Sequence, residues 1–254
     1  MIHSTLTAAF LLLLGLSLAA CATSSTTAPQ ERQIYLLIGQ SNMAGRGTVP
    51  DDATGPIERV GLLNNQDEWE PAQNPLNRYS TVRKGLGMQK LGPGYGFAQR
   101  MVAENPDGEI GLIVNARGGS KIETWREDAK HYREAIRRAR AAAKTGVLAG
   151  ILWHQGESNH RNPDGYLQKL ETLVKNLRRD LEAPDLPFVA GQVHNSPAIN
   201  EQIARLPETV PHTAFVSSEG LKTTDRWHFD TESQLELGRR YAERMIQLHA
   251  QRSR

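Results

Sequence analysis

The chain is nearly devoid of cysteine: Cys21 is the one thiol in 254 residues. That excludes an internal disulfide, and it leaves no thiol in the body of the chain for nucleophilic catalysis or zinc binding. An excess of one charge is also missing, with Lys+Arg 30 against Asp+Glu 28. Such a balance excludes the basic footprint of a nucleic-acid binder. The basic residues between Arg126 and Lys144 (Arg133, Arg137, Arg138, Arg140) alternate with Glu127, Asp128 and Glu134, so they read as a solvated helix face. No His-Glu-x-x-His spacing is present. Gly92, Gly94 and Gly96 mimic a dinucleotide loop, but no strand leads into them as that motif requires.

Long apolar runs are confined to the N-terminus. Ala8 to Leu18 is about a dozen residues, too short to span a bilayer and suited to a signal-peptide core. It ends in Leu18-Ala19-Ala20-Cys21, which resembles the bacterial lipobox, although His3 stands where Lys or Arg is usual. The resemblance implies removal of residues 1–20, lipidation of Cys21 and a membrane anchor in the bacterial envelope. Ala22 after the cysteine implies the outer-membrane or periplasmic side. Residues 21–32 then form a Ser/Thr-rich tether, and residues 33–254 the working domain, a length suited to one α/β unit.

Within that domain, Ile34–Ile38 is an apolar, β-branched run that stops at Gly39 and reads as a buried strand. Further strands are expected at Val60–Leu63, Ile110–Asn115, Leu148–His154, Phe188–Val193 and Ala214–Ser217. Helices are expected at Gly94–Asn105, Asp128–Lys144 and Tyr166–Leu181, and from Thr231 to about Leu248. Thr231 with Gln234 reads as a capping box. The strands are apolar throughout rather than alternating, which indicates a parallel sheet covered on both faces, hence an α/β/α sandwich. Asn64 to Gly92 is a long irregular stretch of the kind that shapes binding sites.

Polar clusters follow the strands: Ser41-Asn42, Gly118-Gly119, Gln155 to Asn159, His194-Asn195 and Asp225 to His228. Strand C-termini share one edge of a parallel sheet, so these clusters can converge. Acyl transfer needs a nucleophile, a base, an acid that orients the base, and oxyanion donors. Ser41, at a strand tip, is the candidate nucleophile. Asp225, three residues before His228, can reach back to the imidazole. His3 lies in the leader, His131 and His249 on helices expected to be exposed, and His160 and His212 in loops without an evident carboxylate partner. Gly118 and Gly119 can offer unobstructed backbone N–H groups to an oxyanion. Gln155 and Asn159 can offer side-chain amides. Glu157 is either a second acid for His228 or a structural partner beneath the site.

In this order, GQSNMAGRG, the Gly-Gly after NAR, HQGESN and DRWHF resemble the SGNH-hydrolase superfamily. Within it they are similar to the branch of sialate O-acetylesterase-like proteins and family 6 carbohydrate esterases. The resemblance spans Gln33 to Leu248 and implies a flavodoxin-like three-layer sandwich that hydrolyses esters of acetylated carbohydrate without metal or other cofactor. It also implies Ser41 as nucleophile, His228 as base and Asp225 as its partner. The oxyanion donors would be the Ser41 N–H, a glycine at 118 or 119, and Gln155 ahead of Asn159. Two rivals stand beside this reading. One is a metal-dependent hydrolase using His154, His194, His228, Glu157 and Asp225. The other is a non-catalytic glycan-binding lipoprotein with Trp69, Tyr79, Trp125 or Trp227 as sugar platforms; Trp125 and Trp153 read more simply as packing.

Overall fold

The computed structural model describes residues 1–2 and 31–252. The apolar leader core, Cys21 and most of the tether lie outside the described residues. One seven-stranded sheet contains β1 (Gln33–Gly39), β2 (Val60–Leu63), β3 (Trp69–Pro71), β4 (Ile110–Val114), β5 (Val147–His154), β6 (Phe188–Gly191) and β7 (Thr213–Val216). Their order across the sheet is β3-β2-β4-β1-β5-β6-β7, parallel except for the edge strand β3. The helices are α1 (Ser41–Ala44), α2 (Gly94–Glu104), α3 (Lys130–Ala142), α4 (Tyr166–Asp180), α5 (Pro197–Ala204), α6 (Leu206–Thr209) and α7 (Thr231–Arg252). The structure thus adds β3, α1, α5 and α6 to the elements expected from sequence.

The central strand shows why its sequence is continuously apolar. Tyr35 and Leu37 pack under α2 and α7, while Ile34, Leu36 and Ile38 face the layer of α3 and α4. Period-2 alternation with both faces buried gives the covered α/β/α sandwich. On one side the two helices approach unusually closely. A Cβ on Gly238 of α7 would lie 2.1 Å from the Pro93 carbonyl oxygen, and one on Gly96 of α2 would lie 2.4 Å from that of Leu235.

Two local expectations are corrected. Arg138 does not belong to a solvated helix face: it is fully buried, and its Nη2 donates to the Leu63 carbonyl at 2.7 Å, tying α3 to the end of β2. An arginine can be buried where its donors meet backbone carbonyls in this way. Thr231 does not cap α7 either. Asp230 Oδ1 accepts the Ser233 N–H at 2.8 Å, and the Thr231 hydroxyl donates to Thr48 O. Gln234 turns inward, away from any capping box, to donate to Asn42.

The close α2–α7 approach generates a stability prediction. Gly238→Ala should lower the unfolding free energy by about 1–3 kcal/mol through overpacking. Denaturant titration measures it; an unchanged midpoint would contradict the packing described.

Candidate active site

Strand β1 ends where it must pass close to β5. Gly39 has φ +135°, and a Cβ there would lie 2.2 Å from the His154 carbonyl oxygen. Beyond it the chain turns at once into α1, whose first residue is Ser41. Because β4 and β5 flank β1, the segments after all three strands meet at the point where the strand order changes direction. They enclose a cavity of about 370 Å³, with Ser41, Gly118, Gly119, Glu157 and Ser158 on its walls. The loop before α7 adds Trp227 and His228, and the irregular 64–92 stretch adds Lys84 and Met88. That stretch is pinned to the end of β4: Asn77 accepts the Ala116 N–H at 2.9 Å, and Asn115 Oδ1 accepts the Thr81 N–H at 2.9 Å.

Ser41, His228 and Asp225 come together from opposite ends of the sequence. Ser41 Oγ lies 3.0 Å from His228 Nε2, and His228 Nδ1 lies 2.6 Å from Asp225 Oδ2. A carboxylate only accepts, so Nδ1 carries the proton and Nε2 is left to accept the serine hydroxyl's. Asp225 Oδ1 also accepts the backbone N–H groups of Trp227 and His228, each at 2.8 Å. Partial burial opposes ionisation of Asp225, but these N–H groups and the imidazole outweigh it and hold the carboxyl at about 2.

Glu157 does not reach His228. It lies on the cavity floor and accepts Asn42 Nδ2 at 2.6 Å. Asn42 Nδ2 also donates to Trp227 O at 3.0 Å, and its Oδ1 accepts the Phe229 N–H and Gln234 Nε2. Burial raises the Glu157 carboxyl to about 7, against smaller opposing hydrogen bonds from its own segment and Asn42. Nearby His154 is pushed down to about 3 by burial and stays neutral. Its Nδ1 lies 3.0 Å from the Tyr241 hydroxyl, which itself donates to Trp153 O. Nδ1 therefore carries the proton and Nε2 is bare, 3.7 Å from Glu157 Oε1.

The expected side-chain oxyanion donors are elsewhere. Gln155 is fully buried, with Nε2 directed at Asn159 Oδ1 (2.8 Å), Gln40 Oε1 (3.1 Å) and Ser120 O (3.1 Å). Its two amide hydrogens are spent on these acceptors. Asn159 Oδ1 also accepts the Ile122 N–H, and its Nδ2 turns to Glu123. Both residues brace the loop behind the cavity. By contrast, the backbone N–H groups of Ser41, Gly118 and Gly119 meet no acceptor among the described residues.

The remaining histidines and aromatics also find their places. His160 lines the cavity, its ring centroid 4.6 Å from that of Trp227. His131 and His249 are half-buried rather than exposed: His131 packs on Trp125, and His249 Nε2 lies 2.8 Å from Ala149 O. His212 lies 3.5 Å from Asp185. Trp125 and Trp153 are core residues in edge-to-face contact, and Trp69 and Tyr79 lie away from the cavity. Among the described residues, no three His, Cys, Asp or Glu side chains gather as a metal site would need. A wider groove of about 610 Å³ runs along α3, but Arg137 and Asp180 on its wall are taken by Asp67 and Tyr132.

Glu157 generates a pH prediction. Its carboxyl loses a proton near 4.5 when unfolded and near 7 in the fold. Between these values the folded state holds more protons, so this contribution to stability falls as pH rises from about 4.5 through 7. Glu157→Gln keeps an acceptor for Asn42 and removes the ionisation. Measured by denaturant titration, its stability relative to wild type should improve between about pH 5 and pH 8. A difference independent of pH would contradict the raised carboxyl.

Residues 31–247 match the family described as carbohydrate esterase, sialic acid-specific acetylesterase. A probable carbohydrate esterase of Arabidopsis thaliana is 31% identical over 229 residues, covering 81% of this chain and 87% of that protein. The crystal structure of an Arabidopsis thaliana protein superimposes with a TM-score of 0.77 at 27% identity, covering 85% of this chain and 98% of the other. A carbohydrate acetylesterase from Xanthomonas citri shares the fold, with TM-score 0.64 and 17% identity over 85% of this chain and 56% of that one. The chain belongs to the sialic acid-specific acetylesterase family of carbohydrate esterases.

Proposed function

We propose that the protein removes O-acetyl groups from carbohydrate through an acetyl-enzyme on Ser41. The observation that carries this reading is the relay Ser41 Oγ–His228 Nε2 (3.0 Å) and His228 Nδ1–Asp225 Oδ2 (2.6 Å) opening onto one cavity. Ser41 Oγ attacks the acetyl carbonyl carbon while its proton passes to His228 Nε2. The C=O bond becomes a C–O⁻ facing the N–H groups of Ser41 and of Gly118 or Gly119. Collapse breaks the bond to the sugar oxygen, which takes the proton from Nε2 and leaves as an alcohol. Water then gives its proton to Nε2 and attacks the acetyl-enzyme, releasing acetate and restoring the serine. Asp225 holds the imidazole in the required tautomer and stabilises its cationic form.

Trp227 lines the cavity beside His160 and is the aromatic side chain a sugar would meet there, with the Arg226 guanidinium 4.7 Å from the indole centroid. Lys84 and Met88 from the 64–92 stretch border the same space and are the residues through which this loop would select the sugar. The lipobox-like Leu18-Ala19-Ala20-Cys21 supports an envelope location, with the site carried on a tether from lipidated Cys21.

Two outcomes are expected. With p-nitrophenyl acetate and excess chelator, wild type hydrolyses the ester and Ser41→Ala, folded to the same circular-dichroism spectrum, does not; equal rates would overturn the assignment. Expressed in full in a bacterial host, the protein partitions into the detergent phase of a Triton X-114 extract and Cys21→Ala moves to the aqueous phase. Aqueous partition of both would overturn the anchor.

A further inference from the structure

The cavity wall holds a second imidazole, His160, that the relay does not use. Two contacts set its ring. Nδ1 lies 2.7 Å from the Glu157 backbone carbonyl oxygen, and the ring packs on Trp227 with centroids 4.6 Å apart and planes at 53°. A carbonyl only accepts, so Nδ1 carries the proton, and in the neutral ring Nε2 is left as an acceptor. Nε2 meets no partner among the described residues and is open to solvent. The other polar side chains of the wall do not duplicate it. Arg46 and Lys84 only donate, and His228 Nε2 faces the Ser41 hydroxyl. Gln40 Oε1 already accepts Gln155 Nε2 and the N–H groups of Gly156 and Ser158. The Ser158 hydroxyl can turn to either role. A sugar hydroxyl has a hydrogen to give, and His160 Nε2 is the side-chain acceptor whose direction the fold has set.

We propose that His160 selects the sugar: its Nε2 accepts a hydrogen bond from a free hydroxyl of the same sugar unit that carries the acetyl group. The proposal rests on the reading of the protein as a carbohydrate acetylesterase acting through Ser41. The cavity, about 370 Å³, lies at the small end of the range for ligand sites and suits the acetylated unit rather than a length of chain. Ester and hydroxyl then belong to one unit, held between the nucleophile and the second imidazole. Trp227, against which that imidazole rests, is the chain neighbour of His228. The ring is fixed before substrate arrives, so little freedom is lost when the bond forms. His160 moves no proton: the hydroxyl keeps its hydrogen, and Ser41 and His228 break the ester. A site built to bond a substrate hydroxyl discriminates against an analogue that lacks it. A unit whose hydroxyl at that position is missing or itself acetylated is therefore the poorer substrate.

The test is steady-state hydrolysis of monoacetylated methyl glycosides of xylose, glucose and N-acetylneuraminic acid by wild type and His160→Phe. For the best substrate, analogues that each lack one free hydroxyl are then compared with the parent. Wild type should lose roughly tenfold in kcat/KM on one analogue, the cost of a hydrogen bond left unmade. His160→Phe keeps an aromatic ring against Trp227; folded to the same circular-dichroism spectrum, it should treat parent and analogue alike to within about twofold. The readout is a ratio of two substrates on one enzyme, so a general loss of activity in the variant does not mimic it. If no analogue loses more than about twofold with wild type, the proposal is overturned whether or not the variant folds. An equal loss with both enzymes would also overturn it, because the hydroxyl is then read by another residue. Failure of the underlying reading looks different. Ser41→Ala as active as wild type would remove the acetyl-enzyme. Hydrolysis of p-nitrophenyl acetate but of none of the acetylated sugars would remove the carbohydrate substrate, and this proposal with it.

Discussion

Asn42 is the residue on which the site's geometry depends. It is fully buried, and its amide makes four hydrogen bonds: two donated, to Glu157 and Trp227 O, and two accepted, from the Phe229 N–H and Gln234. These satisfy the whole capacity of a carboxamide. They bind the turn after β1 to the loop after β5, to the loop bearing Asp225 and His228, and to α7. A serine and a histidine 187 residues apart are thereby kept at hydrogen-bond distance before any substrate arrives. Preorganisation of that kind lowers the reorganisation needed during reaction.

The clamp has a cost in the same place. Glu157 is buried as Asn42's acceptor and its carboxyl is held near 7, while His154 beside it stays neutral. Neither touches the serine–histidine relay. The buried polar layer therefore positions the reacting groups, and the loop bearing Asp225 places Trp227 and His228 on the cavity wall. Local stability is given up to fix a loop, which accords with the concentration of strained or unfavourable features around functional sites.

Much of this was legible in the residues. Continuous apolarity in Ile34–Ile38 reflects a strand covered on both faces, and that property is local to the strand. Asp225 and His228 are three apart, so a single turn joins them, and their pairing is local as well. What could not be read depends on distant partners. Gln155 and Asn159 have the chemistry of oxyanion donors, but Asn159 Oδ1, Gln40 and Ser120 accept from the Gln155 amide and Glu123 accepts from that of Asn159. Arg138 shares a charge pattern with its solvated neighbours, yet the carbonyl of Leu63 awaits it. Gln234 completes a capping-box spacing, but Asn42 claims its side chain. In each case the residue type announced a hydrogen bond and the fold chose the partner.

The claim that Ser41 is the acylated residue is tested most directly by covalent labelling. The protein would be treated with a fluorophosphonate, which traps serine hydrolases at the nucleophile, and its peptides mapped by mass spectrometry. The account predicts one stoichiometric adduct on Ser41, with Ser120 and Ser158 unlabelled and esterase activity lost in proportion. An adduct at another serine, or full activity in protein labelled at Ser41, would contradict it.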